Sequence, residues 1–144
     1  MVWQTGAYYF DKIQEELKRS KPKNLQIHKF ISRMDFAYEV ADLVISRAGA
    51  GTISELCLVG KASLLVPSPN VSEDHQTKNA MALVEQDAAL MVRDDEINEK
   101  LFPLAFEVVN DKDRCNVLAI NSKGLAKPNA TKQIVDEVEK LVRQ

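Results

Sequence analysis

The 144-residue sequence has only two cysteines, Cys57 and Cys115, far apart and in no Cys-x-x-Cys pair. It opens on no signal peptide either, so a disulfide framework is excluded, a reducing cytoplasm suits it, and both thiols read as core packing. No apolar run approaches the length of a membrane span, which predicts a soluble chain. Basic charge is not in excess: 19 Lys and Arg against 21 Asp and Glu leave a formal net charge of −2. That balance argues against a nucleic-acid footprint. What remains is the length of one domain, residues 1–144, with 45% hydrophobic residues to build its core.

Strand and helix patterns alternate along the chain. Val2-Trp3-Gln4 reads as a short strand, and Phe10, Ile13 and Leu17 recur at helical spacing before Pro22. The basic run 18–23 around that proline reads as a solvated loop. Leu25-Gln26-Ile27 alternates as a strand; Met34, Ala37, Tyr38 and Ala41 mark a helix that Ser32 is placed to cap. Leu43-Val44-Ile45 is a third strand, and Ile53, Leu56 and Cys57 open a helix that Gly60 stops. Residues 63–66 form a continuous apolar strand of the kind parallel sheets bury on both faces. After a long polar loop over 67–74, Gln76, Asn79, Ala80 and Leu83 fall on one helical stripe. Residues 88–92 are the last strand, and Ile134, Val138, Leu141 and Val142 form the last apolar stripe. The alternation predicts an α/β fold, a Rossmann-like parallel sheet with helices on both faces and ligands beyond the carboxyl ends of its strands.

The stretch Ser46-Arg47-Ala48-Gly49-Ala50-Gly51-Thr52-Ile53-Ser54-Glu55 stands where strand turns into helix. A turn of Gly and Ala lets a ligand approach the backbone, and the helix start behind it presents unpaired N–H groups and a positive dipole end, which suits a phosphate. It is not a dinucleotide fingerprint, because Gly49-x-Gly51 has no third glycine and the next strand ends in Pro67-Ser68-Pro69 rather than an acid. Nor is it a P-loop, since no lysine precedes Thr52. The residues alone leave two readings open: a phosphate site, or a capping box of Thr52 and Glu55.

Residues 42–55, followed by Pro67 and then His75-Gln76-x-x-Asn79-Ala80, resemble the donor half of the MurG family, and the likeness runs from about Trp3 to the C-terminus. Those bacterial enzymes move N-acetylglucosamine from UDP onto a lipid-linked N-acetylmuramoyl-pentapeptide, making a peptidoglycan precursor. The resemblance implies the C-terminal half of a GT-B glycosyltransferase that binds UDP-N-acetylglucosamine. It places the diphosphate at Ala48, Gly49, Ala50, Gly51 and Thr52, and the ribose at Glu55. Uracil falls to Phe30, Ile31 and Met34, with the Ile31 backbone making the hydrogen bonds; taken without the resemblance, Phe30 reads as a core residue at a strand end. Gln76 and Asn79 become donor-sugar contacts, although amides there equally suit capping and loop support. His75 stands where related sequences carry another amide, and no role is assigned to it. The three segments each follow a predicted strand and are expected to converge on one cleft.

Asp111-Lys112-Asp113 matches the Asp-x-Asp that many glycosyltransferases use for a metal, but it opens a helix and is expected to cap it. No metal and no cofactor are expected. The family's candidate base, acceptor face and first Gly-rich loop belong to its N-terminal half, so no catalytic residue is expected in this chain. The chain alone is predicted inactive, the lipid-linked acceptor being reached only through a missing N-terminal domain at the cytoplasmic face of the bacterial inner membrane. The alternative is a separate UDP-sugar-binding subunit working through a partner, as in the split eukaryotic transferase that extends dolichol-linked oligosaccharide. Related donor domains place a central strand before the unit that opens here, so the first strand is expected to be lacking. Self-association or a displaced N-terminal unit is then expected rather than direct pairing of Val2-Trp3-Gln4 with residues 43–45.

Overall fold

A computed structural model describes residues 1–20, 22–69 and 74–143. Lys21 of the basic run and residues 70–73 of the polar loop lie outside the described residues. The chain divides into two compact units, Met1–Ala41 and Asp42–Gln144.

The first unit is strand β1 (Val2–Gln4), helix α1 (Gly6–Leu17), strand β2 (Gln26–His28) and helix α2 (Met34–Val40). β1 and β2 pair in parallel with Trp3 opposite Ile27. Thr5 N–H continues the ladder to His28 O at 3.0 Å, where the chain turns into α1. Phe10, Ile13 and Leu17 are half-buried along α1 as their spacing requires, and Leu25 is the one described residue of this unit less than a tenth exposed. A core this thin leaves Tyr8, Phe36 and Val40 exposed. Ser32 is not the cap of α2: that place falls to Arg33, whose guanidinium forks onto Asp35 at 2.6 and 2.9 Å and lies over the Phe36 ring.

The second unit runs β3 (Val44–Ser46), α3 (Ala50–Val59), β4 (Ser63–Leu65), α4 (His75–Val84) and β5 (Leu90–Met91). A single-turn 3-10 helix over Asp94–Glu96 and a π turn over Ile97–Leu101 lead into α5 (Phe102–Asn110), α6 (Lys112–Gly124) and α7 (Ala130–Val142). The sheet order is β3-β4-β5, parallel throughout, with Ile45 opposite Leu64 and Leu65 opposite Met91. All three residues of the central strand β4 are buried, as a strand covered on both faces must be. Leu64, Val92 and Ala105 pack with Leu101 and Leu104; Ala62, Val108 and Leu118 pack with Leu43 and Cys115. Burial of each such leucine is worth about 1.5–3 kcal/mol.

Gly60 ends α3 as its sequence position predicts, in the left-handed conformation (φ 66°) with its N–H on Leu56 O at 2.9 Å. A Cβ there would meet Lys123 Cβ at 3.1 Å, so the glycine also lets α6 approach. Ser122 Oγ on Leu56 O and Lys123 Nζ on Leu58 O fasten α6 to that same helix end. Asp111 caps α6, accepting from Arg114 N–H at 2.9 Å, which is the structural role foreseen for the Asp-x-Asp. Cys115 sits half-buried with its thiol on Val108 O and packs beside Ala62, Val108 and Leu118, and burial together with Asp42 and Asp111 raises its pKa.

Candidate functional site

The turn between β3 and α3 is built by small residues and held by distant ones. α3 begins at Ala50 with Gly49 as its N-cap, three residues earlier than a cap at Thr52 would allow. Thr52 is therefore the third helical residue, and the capping-box reading fails because its geometry needs Thr52 outside the helix. The helical ladder starts with Ile53 N–H on Gly49 O at 2.9 Å, so the amides of Ala50, Gly51 and Thr52 precede it and point out of the helix end. Neither glycine is demanded by the fold. Both lack a positive φ, a Cβ on Gly49 would meet only Thr52 Oγ1 at 3.8 Å, and one on Gly51 would meet nothing within 4 Å among the described residues. Small residues without an internal need are what close approach of an external group calls for.

Ala48 differs from its neighbours. It is fully buried, its N–H donates to Gln76 Oε1 at 3.2 Å, and its carbonyl accepts from Asn79 Nδ2 at 3.0 Å. The same Gln76 oxygen accepts Ser68 N–H at 2.9 Å, so one amide bridges the loops that follow β3 and β4. The two amides foreseen as sugar contacts thus form a backbone clamp, the loop-support role that their place on the stripe also allowed. The Gln76 NH2 and the Asn79 Oδ1 take no part in it. Glu55 lies on the exposed side of α3, one turn past the helix start.

Arg47 carries a role that the sequence reading missed. Its Nη1 reaches Val66 O and Pro67 O, each at 3.2 Å, and pairs with Asp94 in the 3-10 turn after β5. One guanidinium therefore ties together the carboxyl ends of β3 and β4 and the segment after β5. A cation beside the small-residue turn was the available signal; its partner, distant in sequence, had none.

In the first unit, Phe30 and Ile31 follow β2, and Met34 opens α2. Phe30 is 75% exposed, which corrects the core reading of that residue and leaves its ring available for stacking. Ile31 and Met34 are half-buried. The Ile31 N–H already has an acceptor, Gln4 Oε1 at 2.7 Å, a partner that no sequence signal announced.

Comparison with known proteins identifies the family of the chain and its fold. The model of the glycosyltransferase family 28 C-terminal domain matches residues 1–136. The UDP-N-acetylglucosamine--N-acetylmuramyl-(pentapeptide) pyrophosphoryl-undecaprenol N-acetylglucosamine transferase of Christiangramia forsetii is 54% identical over 142 residues, covering 99% of this chain and 38% of the relative. The enzyme of the same name from Parabacteroides distasonis is 50% identical, with 39% of its length covered. The chain thus spans about two fifths of the curated relatives it matches. Among solved structures, Acinetobacter baumannii MurG superposes with a TM-score of 0.82 at 33% identity, over 96% of this chain and 40% of that one. A kitacinnamycin glycotransferase, at 20% identity and a TM-score of 0.68, shares the fold.

Proposed function

The chain belongs to the glycosyltransferase family 28 C-terminal domain family, and from that membership we propose that it binds UDP-N-acetylglucosamine as the donor-binding part of a transferase making the lipid-linked peptidoglycan precursor. The family match runs through both units and supports reading them as one donor-binding module. The observation that carries the proposal is the β3–α3 turn, whose amides of Ala50, Gly51 and Thr52 precede the helical ladder beneath two glycines the fold does not require.

In this reading the diphosphate lies against Gly49, Ala50, Gly51 and Thr52, while Ala48 contributes its place in the clamp rather than its N–H. Breaking the bond from the anomeric carbon to the diphosphate puts negative charge on the leaving group. Amides and the positive end of α3 stabilise that charge by preorganised electrostatics, with no metal needed. Glu55 accepts the ribose hydroxyls. The uracil edge meets the Ile31 backbone, with Phe30 and Met34 packing beside the base, and the Gln4 side chain yields the Ile31 N–H as the base arrives. The Gln76 NH2 and Asn79 Oδ1 face the sugar hydroxyls. Inversion at the anomeric carbon needs a base for the acceptor hydroxyl, and that base comes from the part of the full-length relatives outside this chain. The lipid acceptor is engaged there too, at the inner face of the bacterial membrane. Among the described residues no helix is long and apolar enough to cross a membrane.

A titration of the chain with UDP-N-acetylglucosamine, UDP-glucose and UDP tests the proposal. Saturable binding that prefers the N-acetylglucosamine donor, without sugar transfer by the chain alone, is the expected result. Absence of binding to all three, or turnover by the chain alone, overturns it.

A further inference from the structure

The bridge made by Gln76 has a geometry that a sugar contact does not require. Its oxygen accepts two backbone N–H groups from different loops, Ala48 at 3.2 Å and Ser68 at 2.9 Å, while Asn79, three residues on and on the same stripe of α4, holds the carbonyl of Ala48 at 3.0 Å. Ala48 is thereby gripped through its N–H and its C=O. It immediately precedes the N-cap Gly49, and its side chain is fully buried. Planar peptides leave few torsions between that grip and the amides of Ala50, Gly51 and Thr52, so the position of Ala48 dictates where those amides point. Loss of the oxygen would leave two part-buried donors without an acceptor and free the turn to shift.

Building on the donor-site reading above, we propose that Gln76 and Asn79 are positioning residues for the diphosphate turn, and so govern affinity for the nucleotide itself, whether or not a sugar is attached. A pair that only read the sugar would discriminate UDP-N-acetylglucosamine from UDP and leave UDP alone.

The test is a titration of wild-type chain and Gln76→Met with UDP and with UDP-N-acetylglucosamine, alongside amide hydrogen exchange at Ala48 and Ser68. Gln76→Met keeps the length of the side chain and removes the acceptor. UDP affinity is expected to fall about five- to tenfold, with a similar loss for the sugar nucleotide and faster exchange of both amides. Asn79→Ala leaves both N–H groups paired, and a smaller loss in the same direction is expected even where Gln76→Met folds poorly. Gln76→Glu keeps an acceptor in place and is expected to restore slow exchange at Ala48 and Ser68. Unchanged UDP affinity in Gln76→Met and Asn79→Ala, with a loss confined to the sugar nucleotide, overturns the inference and leaves the donor site standing. Unchanged exchange at both amides in Gln76→Met overturns it as well. A wild-type chain that binds neither nucleotide removes the donor-site reading, and this inference with it.

Discussion

Replacing Gly51 with alanine is expected to stabilise the chain and damage its binding, a pairing of signs that a purely structural glycine would not give. Gly51 is the second residue of α3, has no positive φ, and a Cβ built on it meets nothing within 4 Å among the described residues. The substitution therefore meets no clash and removes the entropy that glycine loses on entering a helix, a gain of about 0.5–1 kcal/mol. For a protein of this size that raises the melting temperature by about 1–4 °C. The methyl group has a second consequence. Side chains in a helix tilt toward its N-terminus, so the Cβ of residue 51 projects into the space in front of the Ala50, Gly51 and Thr52 amides, where the diphosphate is placed. Displacing one charged oxygen from one amide removes a charge-assisted hydrogen bond of about 1.5–3 kcal/mol, a loss of roughly ten- to a hundredfold in UDP affinity. Denaturant melts and calorimetric titration of the same preparation read both quantities. A destabilised Gly51→Ala would show that the space above the turn is not open, and a stabilised variant with wild-type UDP affinity would show that nothing binds there.

Glu55→Gln is expected to weaken nucleotide binding by roughly tenfold or more with little change in the melt, as the loss of a charge-assisted bond to ribose requires; a lowered melting temperature with unchanged affinity would refute the ribose assignment. Gln4→Leu removes the acceptor that holds the Ile31 N–H at 2.7 Å, and UDP affinity is expected to rise about fivefold because the base no longer competes for that donor. Equal or weaker binding would show that Gln4 supports the loop instead. Asp87 accepts a two-pronged pairing from Arg114 at 2.6 and 2.8 Å, which lowers its pKa. A lowered carboxylate pKa contributes stability that is present above the unfolded value, near pH 4, and is lost as pH falls through the folded value. Asp87→Asn tolerates the left-handed backbone at that position (φ 51°) and is expected to flatten this acid limb in pH-dependent melts. An unchanged acid limb would refute the linkage.

The parts of this protein that follow from neighbours in the chain were legible in its sequence. The apolar run before a small-residue turn became β3 and α3, the Gly60 stop became a left-handed cap, and Asp111 became the cap of α6 because each depends only on residues a few positions away. Periodicity likewise sufficed for the parallel α/β pattern, and the wording of residues 42–55 for the family. Even locally, competing starts were undecidable: Thr52 and Ser32 are good caps by composition, yet the helices begin at Ala50 and Met34. What the tertiary structure alone decided are the bonds between side chains and remote backbone. Gln76 meets Ala48, Arg47 meets Asp94 and Gln4 meets Ile31 only because the strands place successive loops side by side at their carboxyl ends. An amide or a guanidinium carries no mark in sequence of which distant carbonyl or N–H it will face. That pairing is fixed by strand register and helix phase, which are properties of the packed elements rather than of any one segment.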